Sequence, residues 1–380
     1  MHNNGLAEEE EHRLSAIDLN LNIEPEMPKR KDYRIGCIGS GFIMRDCHLV
    51  AYRDAGFNPV AIASRTYENA KAVAELRNIP KVHETWQQLV QDPEIEILDI
   101  AVPPDRQLEV VKLAVKQPHI KGILCQKPLA MNSREAREIV ELCEGAGIKI
   151  GVNSNMRYDQ SIRALKTVLE RGYLGEPVLA TIEMRAIPHW QDFLHQYERI
   201  EILNMGIHHI DAFRYLFGDP EKVTAVARRD PRTTFKHIDG ISQYTFQYAN
   251  ELMASSLDDV WAWPGEGAEK DIYIKWRVVG LDGMAQGTIG WPHPERTPST
   301  LEFTTKQSPN QWYRPTWDGV WFPDAFQGTM AQLLRAVETD DEPEIGGRDN
   351  LNTMAAVDAC YKSIAEGRTV AFSEVTNLNL

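Results

Sequence analysis

A two-domain α/β architecture is predicted: an N-terminal Rossmann-type doubly wound parallel sheet, then an α/β domain built on a large, mainly antiparallel open sheet. Three observations predict it. From Tyr33 to about Val152, short apolar runs alternate with helical patterns, which implies parallel strands with helical crossovers. The first run leads into a glycine turn, Gly39-Ser-Gly41-Phe-Ile-Met44. After residue 155 the pattern changes to strand-like runs on short polar connections, the grammar of antiparallel pairing.

The elements follow in order. Residues 1–32 form a leader with an acidic block, Glu8 to Glu11, then Leu14, Ile17, Leu19, Leu21 and Ile23, then Lys29-Arg30-Lys31. It reads either as a disordered tail or as an arm that packs on another subunit. The nucleotide-binding domain is assigned to 33–154. Its strands are expected at 33–38, 59–63, 95–102, 121–125 and 148–152, and its helices at 42–55, 66–77, 105–116 and 133–146. Asn132-Ser133 with Glu135 marks a helix start. The second domain is assigned to 155–380. Helices are expected near 160–171, 205–216, 325–338 and 349–366, and strands near 177–187, 221–229, 241–248, 251–257, 271–279, 283–289 and 299–305. The Trp- and Pro-rich segment 308–323 reads as a long ordered loop.

Composition narrows the class. A chain of 380 residues exceeds one small core. The net charge of −14 argues against a nucleic-acid partner. No apolar run approaches the roughly 18 residues of a membrane span, so no membrane association is expected. The N-terminus lacks a secretory h-region, and the five cysteines are scattered, as for reduced thiols in a cytoplasmic protein.

In the glycine turn, Gly39 permits the tight bend and Gly41 lets a pyrophosphate approach the backbone. Phe42, Ile43 and Met44 open a helix whose free N–H groups face the same place. Met44 replaces the usual third glycine. At the end of the second strand, where a carboxylate selects NAD, the chain has Ser64-Arg65. That pair admits the 2′-phosphate of NADP without excluding NAD.

Four features together resemble the glucose–fructose oxidoreductase/inositol dehydrogenase (Gfo/Idh/MocA) family. They are the turn, the Val102-Pro103-Pro104 loop, Gln126-Lys127-Pro128, and Asn204-Met-Gly206-Ile-His208-His209-Ile-Asp211. The resemblance spans about residues 33–375. It implies a Rossmann domain with a C-terminal sheet that often forms the subunit interface, giving a homodimer or homotetramer. It also implies NAD(P)-dependent chemistry at a carbinol carbon of a sugar or polyol. Pro103, Gln126 and Lys127 then fall at the dinucleotide. Lys127, Asn204 and His208 align with the family's catalytic positions. His208 can take or give the hydroxyl proton, and Lys127 can hold the oxygen and share its proton. Residues 204 and 208 share a helix face.

The chain departs from the family in three places. Gln126 replaces a glutamate, Asn204 replaces an aspartate, and Gln107 stands where a histidine is frequent. An amide at 204 orients a hydroxyl but cannot exchange its proton. No metal site is expected, because the adjacent His208 and His209 point to different sides of a helix.

Candidate substrate contacts are Arg157 and Tyr158, which follow the last Rossmann strand, Arg185, Arg157 and Arg314 for an anionic group, and the aromatic positions His189, Trp190, Trp261, Trp263, Trp312, Tyr313 and Trp317. Structural packing is the alternative for each. The leading function is an NAD(P)-dependent sugar or polyol oxidoreductase. The alternative is an NAD-dependent glycosidase that oxidises a sugar hydroxyl transiently, eliminates the glycosidic bond, adds water and returns the hydride. A third reading is a non-enzymatic dinucleotide sensor.

Overall fold

The computed structural model describes residues 17–186, 192–259, 272–292 and 295–376. The first sheet contains β1 (Arg34–Ile38), β2 (Asn58–Ala63), β3 (Lys81–Val82), β4 (Ile97–Ile100), β5 (Gly122–Cys125) and β6 (Lys149–Val152). All pair in parallel, in the order β3-β2-β1-β4-β5-β6. The connecting helices are α1 (Leu49–Ala55), α2 (Tyr67–Arg77), α3 (Trp86–Val90), α4 (Pro104–Ala114) and α5 (Ser133–Gly145). Strand order reverses between β1 and β4, so a crevice opens beyond their carboxyl ends. The predicted start of α5 is present: the Asn132 side chain accepts from the Glu135 N–H at 3.0 Å.

The second domain contains α6 (Gln160–Glu170), β7 (Pro177–Arg185), α7 (Ile207–Phe217), β8 (Lys222–Arg228), β9 (Ile241–Gln247), β10 (Met253–Asp259), β11 (Tyr273–Gly280), β12 (Gly283–Ile289) and β13 (Thr300–Thr305). It is completed by α8 (Phe326–Thr339), α9 (Gly347–Glu366), β14 (Val370–Ala371) and α10 (Ser373–Thr376). Its eight strands run β13-β12-β11-β7-β10-β9-β8-β14, all antiparallel except β7 with β10. The period-2 pattern of the strands sets their faces. Ala180, Ile182 and Met184 of β7 and Ala254, Ser256 and Asp258 of β10 turn inward, whereas Leu179 and Leu257 are exposed. No helix among the described residues is long and apolar enough to cross a membrane.

Several details differ from the sequence expectation. The short β3, α3, β14 and α10 had no readable pattern, being too short for periodicity. The helix after the glycine turn begins as a π-helical stretch, Ile43–His48, and a second one, Ile202–Gly206, precedes α7. The chain returns late to its first sheet. A methyl group on Gly122 of β5 would meet Val337 and Leu333 of α8, and one on Gly151 of β6 would meet Ile345. Residues from the C-terminal third therefore complete the core of the first domain.

Residues 17–32 pack along their own chain. They strap both domains of their own chain. The Asn22 N–H reaches Thr167 Oγ1 on α6, the Lys29 and Arg30 N–H groups reach Glu338 on α8, and Arg30 pairs with Glu96 beside β4. Leu21 of the strap is buried.

Candidate active site

The glycine turn leaves β1 at the switch point. Gly39 has φ +117°, and a Cβ there would lie 2.3 Å from the Ala101 carbonyl oxygen at the end of β4. Its N–H donates to Ala63 O at the end of β2. Only glycine fits so tight a junction. Gly41 is the opposite case: a Cβ would meet nothing within 4 Å. That open space beside the start of a helix is the cradle a pyrophosphate needs. Met44 is buried under the turn, while Ile43 is partly buried and Phe42 partly exposed. At the end of β2, Ser64 Oγ donates to the Thr66 carbonyl, and Arg65 is exposed without an ion pair among the described residues.

Lys127 sits just past the end of β5. Gln107, buried on α4 near Pro103, fixes this loop. Its Nε2 donates to the carbonyls of Gln126, Pro128 and Leu129, and its Oε1 accepts from the Gln126 N–H. The glutamine that replaces a frequent family histidine thus clamps backbone. Gln126 Oε1 in turn accepts from the Lys127 N–H at 2.9 Å, leaving Gln126 Nε2 buried without a partner.

The π-helical stretch before α7 brings its backbone to the lysine. Lys127 Nζ donates to the Asn204 carbonyl oxygen at 2.5 Å, across 77 positions of chain. Wide turns of this kind free carbonyls from the helical ladder. Burial lowers the Lys127 pKa to about 7. One α-helical turn on, His208 is buried, with its ring edge-on to Trp321 at 4.8 Å. Burial, then the charges of Lys127 and His209, push its pKa well below the ordinary value. The imidazole is therefore neutral near pH 7, and Lys127 is the group of this pair that titrates there. The sequence had offered both Lys127 and His208 for that task.

His209 points away from the lysine, into the core behind the π-helical stretch. Its Nδ1 lies 2.9 Å from Asp258 Oδ1 and 3.1 Å from Ser256 Oγ. Glu201 Oε1 and Asp258 Oδ2 lack donors, and both lie beside Gly206, where a methyl would come within 3.0 and 3.5 Å of them. Two buried acceptors converging on one place require a proton on one of them. Burial, then the charges of Asp258 and Asp239, hold the Glu201 pKa well above the usual carboxylate range. The folded state then binds a proton that the unfolded chain releases. Stability contributed by this proton is complete below the ordinary glutamate pKa and declines as pH rises toward the raised one. Glu201→Gln, which keeps a donor without the proton, should flatten that decline. Melting temperatures of both proteins from pH 5 to pH 8 test it; parallel curves would reject the shared proton.

Other predicted contacts fall elsewhere. Arg157 is buried, with Nε and Nη2 on Asp211, Nη2 also on Asp349 and Nη1 on the Glu344 carbonyl. Tyr158 Oη donates to Glu344. The three guanidinium nitrogens of Arg157 and the hydroxyl proton of Tyr158 are thus engaged by the frame, the packing alternative for both residues. Arg185 lies at the end of β7 beside Asp259. Arg314 pairs with Glu302 on β13, with Trp312 next to it and Tyr313 stacked on Phe303. This places the 312–314 segment on the edge strand of the large sheet. His189, Trp190, Trp261 and Trp263 lie outside the described residues. Trp317 is partly buried.

The aromatic wall near His208 comes from residues the sequence did not single out. Trp321 packs edge-on against Trp291 and at a tilt against Phe322, and Phe322 reaches Phe42 of the glycine turn at 6.4 Å. Trp321 Nε1 donates to Asn155 Oδ1. A Trp-Phe-Pro run just before a helix was the available signal, but it resembled ordinary loop composition.

Comparison with known proteins fits this geometry. Residues 33–154 match the model of an oxidoreductase family with an NAD-binding Rossmann fold, and residues 162–286 match the GFO/IDH/MocA C-terminal domain. A D-apiose dehydrogenase from Paraburkholderia graminis is 28% identical over 94% of this chain and 94% of its own length. A 1,5-anhydro-D-fructose reductase from Ensifer adhaerens is 30% identical over 88% and 97% respectively. Among solved structures, an oxidoreductase from Agrobacterium radiobacter in complex with NAD+, L-tartaric acid and magnesium has TM-score 0.78 and 26% identity. It covers 90% of this chain and 99% of its own.

Proposed function

The chain belongs to the Gfo/Idh/MocA oxidoreductase family, and from that premise we propose that it transfers a hydride between a nicotinamide dinucleotide and a carbinol carbon of a small sugar or polyol. The observation that carries the proposal is the meeting of Lys127 Nζ with the Asn204 carbonyl, one helical turn from His208. The residues present fit the dinucleotide. Gly41 leaves an open cradle for the pyrophosphate, and Gln126 Nε2 is a buried donor awaiting an acceptor. Ser64 and Arg65 flank the adenosine end, where a 2′-phosphate meets no carboxylate, so both NAD and NADP are admitted. When bound, the nicotinamide supplies the hydride acceptor or donor.

The protein's own groups handle everything else. Lys127, with a pKa near neutrality, takes the carbinol proton when neutral and returns it when charged. His208, neutral, hydrogen-bonds the same hydroxyl and is held against Trp321. The Asn204 carbonyl steadies the amine. The aromatic wall excludes water and offers a face to sugar C–H groups. The names of the relatives, a D-apiose dehydrogenase and a 1,5-anhydro-D-fructose reductase, support a small carbohydrate. The open face of the second sheet, with Leu179 and Leu257 exposed, suits pairing with a second copy. No observation at the site favours the glycosidase alternative.

Two measurements test this reading. A panel of sugars and polyols with each dinucleotide should show reduced nicotinamide in one-to-one yield with oxidised sugar. Glycoside cleavage without net nicotinamide change would support the hydride-returning alternative instead. For the active substrate, kcat/KM for oxidation should rise with pH through about 7, because only the neutral amine accepts a proton. The reduction direction should fall through the same value. A profile flat from pH 6 to 8 would remove Lys127 from the proton-handling role.

A further inference from the structure

We infer that His48 is a positioning residue for Lys127, acting through Asn153 and Gln126 along a buried hydrogen-bonded line that begins at Asp99. His48, Asp99 and Asn153 are each at most 1% exposed. They come from the end of the first π-helical stretch, from β4 and from the residue after β6. His48 Nδ1 lies 2.7 Å from Asp99 Oδ2, which also accepts from Tyr52 Oη at 2.7 Å. His48 Nε2 lies 3.1 Å from Asn153 Nδ2, which lies 3.2 Å from Gln126 Oε1. Gln126 Oε1 accepts from the Lys127 N–H.

The direction of every bond in this line follows from its last member. A backbone N–H can only donate, so the group facing Lys127 is the Gln126 oxygen. The amide group of Asn153 that faces that oxygen is then its NH2, consistent with Thr329 Oγ1 meeting Asn153 Oδ1 at 3.0 Å. An NH2 that also faces His48 Nε2 requires a lone pair there. The imidazole proton must therefore sit on Nδ1 and point at Asp99. The titratable groups around this ring are Asp99, Tyr52 and Cys37, the last within electrostatic reach of Asp99. One carboxylate thus selects one histidine tautomer, and that tautomer sets two amides in order behind the lysine. None of these four residues touches the lysine amine. Their effect is on where the Lys127 backbone, and so its side chain, is held.

The inference rests on the assignment of Lys127 as the proton-handling amine. Two substitutions of His48 separate a relay from plain core packing. His48→Gln places a carbonyl oxygen where Nε2 was and keeps the acceptor for Asn153. His48→Asn keeps an N–H toward Asp99 but loses that acceptor. We expect His48→Asn to lower kcat by roughly tenfold or more with little change in KM, the effect of a small misplacement. His48→Gln should stay within a few-fold of the parent. In the sugar-free protein, the pH dependence of Lys127 acylation, followed by mass spectrometry, should shift for His48→Asn and not for His48→Gln. Asn153→Ala should behave like His48→Asn, and it carries the test should the Asn variant fail to fold. Equal kcat and equal acylation profiles for the two His48 variants, with changes only in melting temperature, would overturn the relay. A Lys127→Ala enzyme with near-normal turnover would instead overturn the assignment beneath it.

Discussion

Lys127→Ala is expected to lower turnover by roughly 10²-fold or more, the scale of lost acid–base assistance, with dinucleotide affinity nearly unchanged. The side chain is the group whose pKa lies near 7, and its ammonium is held by a backbone carbonyl rather than by an acid. Removing it leaves the carbinol proton without an acceptor. His208→Ala should cost a similar factor, since the neutral imidazole shares the hydroxyl. Asn204→Ala should cost less, because the carbonyl that steadies Lys127 belongs to the backbone and survives the change. Steady-state kinetics, with dinucleotide binding titrated separately, provides the check. A Lys127→Ala protein that turns over normally would reject the proposed chemistry, and one that loses dinucleotide binding would place the lysine elsewhere.

Gly41→Val should leave the fold intact and abolish dinucleotide binding. A Cβ at Gly41 meets nothing within 4 Å, so the side chain is accommodated in the free protein. It then fills the space in which phosphates must approach the helix start. Affinity should fall by more than tenfold, about 1.4 kcal/mol, at an unchanged melting temperature. Gly39→Ala makes the contrast. There the added methyl meets the Ala101 carbonyl in a positive-φ conformation, so stability itself should fall. Unaltered dinucleotide affinity in Gly41→Val would remove the turn from the binding site.

Much of the first domain was legible in the chain. Alternating apolar runs and helical patterns report burial on both sides of a parallel sheet, and the strands lie where those runs lie. The glycine turn and the lysine past β5 were legible because each depends on local sterics and strand ends. Arg157 shows the limit. Its position after β6 is common to a substrate contact and a structural clamp, and only the approach of Asp211 and Asp349 decides for the clamp. Trp321 shows the converse. Its Trp-Phe-Pro neighbourhood looked like ordinary loop composition, yet packing sets it against His208.

By itself the sequence determined the strand and helix alternation, the tight glycine junction and the residue types available for proton transfer. These follow from backbone sterics and side-chain periodicity, which act over a few residues. The tertiary structure alone decided that Lys127 meets the carbonyl of Asn204 rather than its amide. It also decided that burial keeps His208 neutral and brings Lys127 to titrate near 7, and that His48 lies between Asp99 and Asn153. Those properties arise from desolvation and from hydrogen bonds between segments far apart in the chain, and they exist only once those segments have packed together.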